Sequence, residues 1–159
     1  MQFINYFFAS IISFLGLLIG IMLVTIAPEE QTPLKKYFVL ARKLLLLLIF
    51  IFPIFYYINK AIFILAIILI FLFLIFIEYK IKDLFRKSVF HYAALSILFF
   101  FSLSNTNLFV IESSLILLYG LPTASLLYNK KEKNYNLLLY NAIFVLISNL
   151  LFFSTIFRF

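Results

Sequence analysis

Glu112 is the one acidic residue inside an apolar run of this chain, and a carboxylate in that setting can carry a proton or a cation. An ionised side chain at a helix centre costs roughly 2.5–3.5 kcal/mol on insertion scales. Here it lies about one turn from the end of its run, where the cost is smaller. Tyr119 and Thr123 return to the same helix face, seven and eleven residues further on. In the last apolar run, Asn141, Ser148 and Thr155 form a stripe at seven-residue spacing. The two stripes describe a polar seam between neighbouring helices. Such a seam can pass a proton or small solute, or it can hold helices together at about 0.6 kcal/mol per hydrogen bond. Counting up from the turn they share sets Glu112 level with Phe152, between Ser148 and Thr155. The forked donors of Arg158 suit a carboxylate, so Arg158 is the expected partner, with Asn149, Thr155 or Lys60 in its place.

Little else in the chain has the makings of chemistry. His91 is the sole histidine, and one imidazole without carboxylate help builds no metal site. With no cysteine, disulfide, thiolate and cysteine–metal chemistry are excluded. Glu29–Glu30 matches the paired glutamates of intramembrane CAAX-type proteases, but that pattern also needs an arginine and further histidines. The next basic residue here is Lys35, so the pattern fails. Phosphate-binding loops, HExxH, nucleophile elbows and potassium-filter sequences are absent too. No catalytic, cofactor or metal site is expected.

These residues must be positioned by membrane helices. Apolar residues make up 66 % of the 159 and charged ones 12 %, against roughly 45–50 % and 25 % in soluble domains. A soluble fold would have almost no polar surface left to cover such a core. A bilayer core about 30 Å thick takes a helix of roughly 20 residues. Six helices are predicted, at about 3–26, 37–58, 61–77, 89–103, 108–128 and 135–156, forming one all-α membrane domain over 1–159. Of the 13 basic residues, Lys35, Lys36, Arg42 and Lys43 follow the first helix. Lys80, Lys82, Arg86 and Lys87 follow the third, and Lys130, Lys131 and Lys133 the fifth. Basic loops stay in the cytoplasm, so loops 27–43, 78–88 and 129–134 are expected inside a cell membrane and both termini outside. The net charge of +7 is split among three loops, which argues for anionic lipid headgroups as partners and against nucleic acid.

Local patterns add detail. Ala9, Ser13, Gly16 and Gly20 share one face of helix 1, and the GxxxG pair lets another backbone approach, either a homo-oligomer partner or a helix of the same chain. Thr32–Pro33 reads as a helix start, with Lys35 and Arg42 on one stripe at headgroup level. Pro53 and Gly120–Leu121–Pro122 predict kinks. Glu78 to Lys87 reads as a short amphipathic helix with Glu78–Lys82 and Asp83–Lys87 pairs. In the absence of tryptophan, Tyr6, Tyr37, Tyr56, Tyr57, Tyr79, Tyr92, Tyr128 and Tyr135 are expected to form the interfacial belt.

Helix 1 with Gly16 and Gly20, then Ala27-Pro28-Glu29-Glu30 and Lys36-Tyr37-Phe38, resembles the opening of small uncharacterised multi-pass membrane proteins of archaea. The resemblance covers the first quarter of the chain and implies a membrane protein without transferring an activity. The expected function is a non-enzymatic membrane component, such as a subunit that meets a membrane protein partner. The alternatives are a small transporter or channel using the Glu112 seam, or a lipid-headgroup enzyme built from Glu29, Glu30, Asp83 and His91.

Overall fold

The computed structural model describes residues 2–128 and 134–156. Six helices in it are long and apolar enough to cross a membrane. They are α1 (Phe3–Ile26), α2 (Gln31–Tyr56), α3 (Ala61–Lys80), α4 (Leu84–Phe101), α5 (Thr106–Leu127), and a last span divided into α6 (Asn134–Asn141) and α7 (Ile143–Ile156). The division at Ala142 is slight. Ala142 N still donates to Leu138 O at 2.9 Å and Leu146 N to Ala142 O at 3.1 Å. Pro53 and Pro122 both lie within continuous helices.

Side chains set the helix starts more than hydropathy does. α4 begins at Leu84, five residues before the expected position, because the Asp83 side chain accepts from Phe85 N at 3.0 Å and caps it. Likewise Asn105 Oδ1 accepts from Asn107 N and Leu108 N at 3.0 and 3.1 Å, starting α5 at Thr106. Thr32 does not cap α2, which starts at Gln31 directly after a 3-10 turn at Pro28–Glu30. The stretch from Glu78 to Lys87 is not one amphipathic helix, since Ile81–Asp83 is non-helical. Neither pair expected there forms. Asp83 meets Arg86 at 3.6 Å, and Glu78 and Lys87 turn to each other.

Lipid tails are as apolar as leucine, so membrane helices associate through close packing and polar contacts. α5 is the hub, packed most extensively on α1 and next on α2, while α4 packs on α7. The α1–α5 crossing is backbone against backbone. A Cβ on Gly16 would lie 1.8 Å from Leu117 O, one on Gly20 2.6 Å from Ala124 Cβ, and one on Gly120 2.4 Å from Leu17 N. The Gly16–Gly20 face is therefore filled by α5 of the same chain and is not open to a second copy. Ser13 is buried on it and Ala9 half-buried.

Aromatic rings occupy the core around this crossing. Tyr6 stacks on Phe152 at 4.8 Å, Phe99 meets Phe109 at 4.9 Å, and Tyr92 meets Tyr119 at 5.9 Å. Tyr6, Tyr57 and Tyr92 are thus buried in the bundle rather than in an interfacial belt. Tyr6 OH donates to Ser148 O at 3.2 Å, and Tyr57 OH bonds Phe101 O. By contrast α3 fully buries only Ile67, Leu74 and Ile77; Phe63, Ile64, Ile70 and Phe71 are half-buried against the core, and Ile62, Leu65, Leu69, Leu72 and Phe76 face outward.

Candidate functional site

The inward stripe of α2 consists of Arg42, Ile49, Phe50 and Pro53, at the i, i+7, i+8 and i+11 positions of one helix face. Arg42 is therefore a core residue, its side chain 8 % exposed, and not the headgroup-level cation its spacing with Lys35 suggests. It can be buried because three other helices bring it partners. α5 supplies Tyr119, whose hydroxyl accepts from Arg42 Nε at 3.2 Å. α4 supplies His91, whose Nδ1 lies 3.0 Å from Arg42 Nη2 and 2.7 Å from Tyr119 OH. Glu78, near the end of α3, places Oε2 at 3.9 Å from Arg42 Nη2.

Hydrogen-bond logic fixes the imidazole. Arginine only donates, so His91 Nδ1 must accept, and the ring proton sits on Nε2. That nitrogen faces Glu78 Oε2 at 3.8 Å. Lys87, one turn before His91, completes the group. Its Nζ donates to Glu78 O at 2.8 Å, satisfying a carbonyl in the last turn of α3, and stands 3.3 Å from Glu78 Oε2. Three nitrogens on two helices thus converge on one carboxylate oxygen without any of the contacts being an aligned hydrogen bond. Both His91 Nε2 and Glu78 Oε2 are buried and lack a hydrogen-bond partner among the described residues.

This group forms one wall of a cavity of about 380 Å³ between α2, α3 and α4. Leu46, Leu47, Phe71, Leu74 and Ile75 make the rest apolar, and Lys43 adds a further cation. A second cavity of about 550 Å³ lies between α1, α2 and α5, lined by residues such as Leu23, Phe38 and Leu121. At its polar end Gln31 Nε2 donates to Ser125 O at 2.8 Å and Tyr128 O at 3.3 Å, closing the end of α5. No basic residue lines it among the described residues.

The proposed seam is not brought together as a unit. Tyr119 belongs to the Arg42 group. Thr123 bonds Tyr119 O, Asn141 bonds Leu137 O, Ser148 bonds Val145 O and Thr155 bonds Phe152 O, each turning back on its own helix. Glu112 is fully buried, and neither carboxylate oxygen has a hydrogen-bond partner among the described residues. Its fallback partners are engaged elsewhere. Asn149 donates to Ser10 Oγ and Val145 O, and Lys60 lies over the Tyr57 and Phe63 rings at 5.5 and 5.6 Å. Arg158 lies outside the described residues, as do Lys130, Lys131 and Lys133. Neither of the two cavities is lined by Glu112. Of the four residues suggested for headgroup chemistry, Glu29, Glu30 and Asp83 are exposed and only His91 is in the buried group. Among the described residues no three His, Cys, Asp or Glu side chains are placed to hold a metal ion.

Sequence reasoning passed over Arg42, Glu78 and Lys87 because each reads as a loop charge. A signal was present for part of the group: Glu78 directly follows the apolar run ending at Ile77, and His91 lies within the run that begins at Val89.

Fold and site together define a multi-pass helical membrane protein with a buried, cation-rich polar group at its basic end. Comparison with protein-family models, with curated proteins and with solved structures returned no match.

Proposed function

We propose that this protein is a non-enzymatic membrane component that holds an amphiphile with an anionic headgroup at the basic end of the bundle. The observation that supports it is the convergence of Arg42, Lys87 and His91 on a single point of a largely apolar cavity. An apolar cavity of this size with a few convergent polar groups is the usual form of a small-molecule site. Every polar group aimed at that point, Glu78 apart, is a donor. With Nδ1 committed to Arg42 and Tyr119, His91 offers Nε2–H and no free lone pair, which suits it to binding an anion rather than to taking a proton. In the cell membrane the basic end would face the cytoplasm, where anionic lipids are enriched, with both termini outside. The apolar outer face of α3 would meet lipid or a partner subunit.

The test is lipid analysis by mass spectrometry of protein purified in mild detergent. Retained lipid should be enriched in anionic species over the bulk membrane, and Lys87→Ala should lose that enrichment. Bulk composition in both proteins refutes the reading. A pull-down in the same detergent should also yield a co-purifying membrane protein; a lone monomer argues against the subunit role.

A further inference from the structure

The carboxylate of Glu78 stands in an odd place for a structural ion pair. A single oxygen is shared by Lys87, His91 and Arg42 at 3.3, 3.8 and 3.9 Å, whereas charge-assisted N–H···O bonds close to about 2.7–2.9 Å. Three cation or N–H groups are gathered for an anion, and the anion present satisfies none of them well. The donors left over can be counted. Of the five N–H groups of arginine, Nε serves Tyr119 and one on Nη2 serves His91, leaving three on Arg42. Lys87 spends one on Glu78 O and keeps two, and His91 keeps its Nε2–H.

We infer that Glu78 is the internal occupant of this site, and that a phosphate-bearing amphiphile enters by displacing it. The inference rests on the proposed headgroup reading and names the ligand class and its competitor. A phosphate monoester brings three terminal oxygens and a charge of about −1.5 to −2. That matches the unspent donors and the two fixed positive charges of Arg42 and Lys87, with Lys43 beside them. A fatty-acid carboxylate brings only what Glu78 already supplies, so it gains little by exchange. Glu78 is free to leave. Its side chain is 40 % exposed, and it sits in the last turn of α3 just before the non-helical Ile81–Asp83. Lys87 stays in place on leaving, because it is held by the backbone carbonyl of Glu78 rather than by the carboxylate alone.

The experiment compares dodecyl phosphate with dodecanoate, which share a chain length and differ in headgroup, on the full protein in maltoside micelles, read by native mass spectrometry. Wild type should bind dodecyl phosphate more tightly than dodecanoate. In Glu78→Gln the phosphate affinity should rise about tenfold, the gain expected when a site that is open in a tenth of molecules becomes open in all. If Glu78→Gln does not fold, Glu78→Asp, which withdraws the carboxylate by one methylene, should show the same direction. Wild-type binding of the phosphate with no gain in either variant overturns the displacement and leaves the headgroup reading standing. Equal or tighter binding of dodecanoate overturns the phosphate assignment. No binding of either amphiphile overturns the headgroup reading and this inference with it.

Discussion

Replacing Gly16 by alanine tests the packing of the bundle at its tightest point. The added Cβ would lie 1.8 Å from Leu117 O and 2.6 Å from the Leu117 carbonyl carbon. Even a C–H···O contact needs about 3.3 Å. The two helices must therefore part by roughly 1.5 Å, because the obstacle is backbone and cannot rotate away. Overpacking costs typically about 1–3 kcal/mol, and a rigid obstacle puts this case near the top of that range. For a chain of this size 1 kcal/mol shifts the melting temperature by about 2–4 °C, so Gly16→Ala should melt about 6–12 °C lower in detergent. Gly20→Ala should cost less and be partly rescued by Ala124→Gly, since its nearest neighbour is the Ala124 Cβ at 2.6 Å. Leu121 O at 2.8 Å keeps the rescue partial. A Gly16→Ala protein that melts within about 2 °C of wild type would show that α1 and α5 do not cross here.

Further outcomes follow from the same structure. Arg42→Ala removes the donor to Tyr119 OH and one of two donors to His91, and should lower stability by about 2–3 kcal/mol in thermal unfolding, with Arg42→Lys recovering part of it. An unchanged melting curve for Arg42→Ala would mean the buried group is not formed. Single cysteines at Asp83 and Lys131 should react only with permeant thiol reagents in intact cells, and those at Lys60 and Thr106 with impermeant ones as well; the opposite pattern reverses the topology. Glu112→Arg combined with Arg158→Glu should restore protein levels lost in either single variant, whereas absence of rescue refutes that pairing.

The helices were legible in the sequence because membrane spans are written in hydropathy, a property of whole segments. Their ends were less so, since Asp83 and Asn105 act through single capping bonds that composition does not register. Gly16 and Gly20 announced a close crossing but not which helix would fill it. The candidate site was hidden for a different reason. Arg42, Glu78, Lys87 and His91 lie on three helices, and their meeting depends on how each helix is rotated. In α3, where apolar residues cover every face, no periodicity fixes that rotation. Tyr119 was singled out for its spacing from Glu112, yet its hydroxyl bonds the arginine of α2 and the histidine of α4, a partnership no single-helix pattern encodes.

The α1–α5 crossing also governs how the chain must be made. Its halves, Gly16 and Gly120, are separated in sequence by four intervening turns and three whole helices. At translation rates of about 5–20 residues per second, α1 waits roughly 5–20 s before α5 leaves the ribosome. Throughout that interval its glycine face is bare in the bilayer, and a GxxxG surface is one that other newly inserted helices can seize. Biosynthesis therefore has a vulnerable window that the finished bundle does not reveal. The ribosome's pace, and any insertase that shields α1 meanwhile, become part of what decides the yield of folded protein.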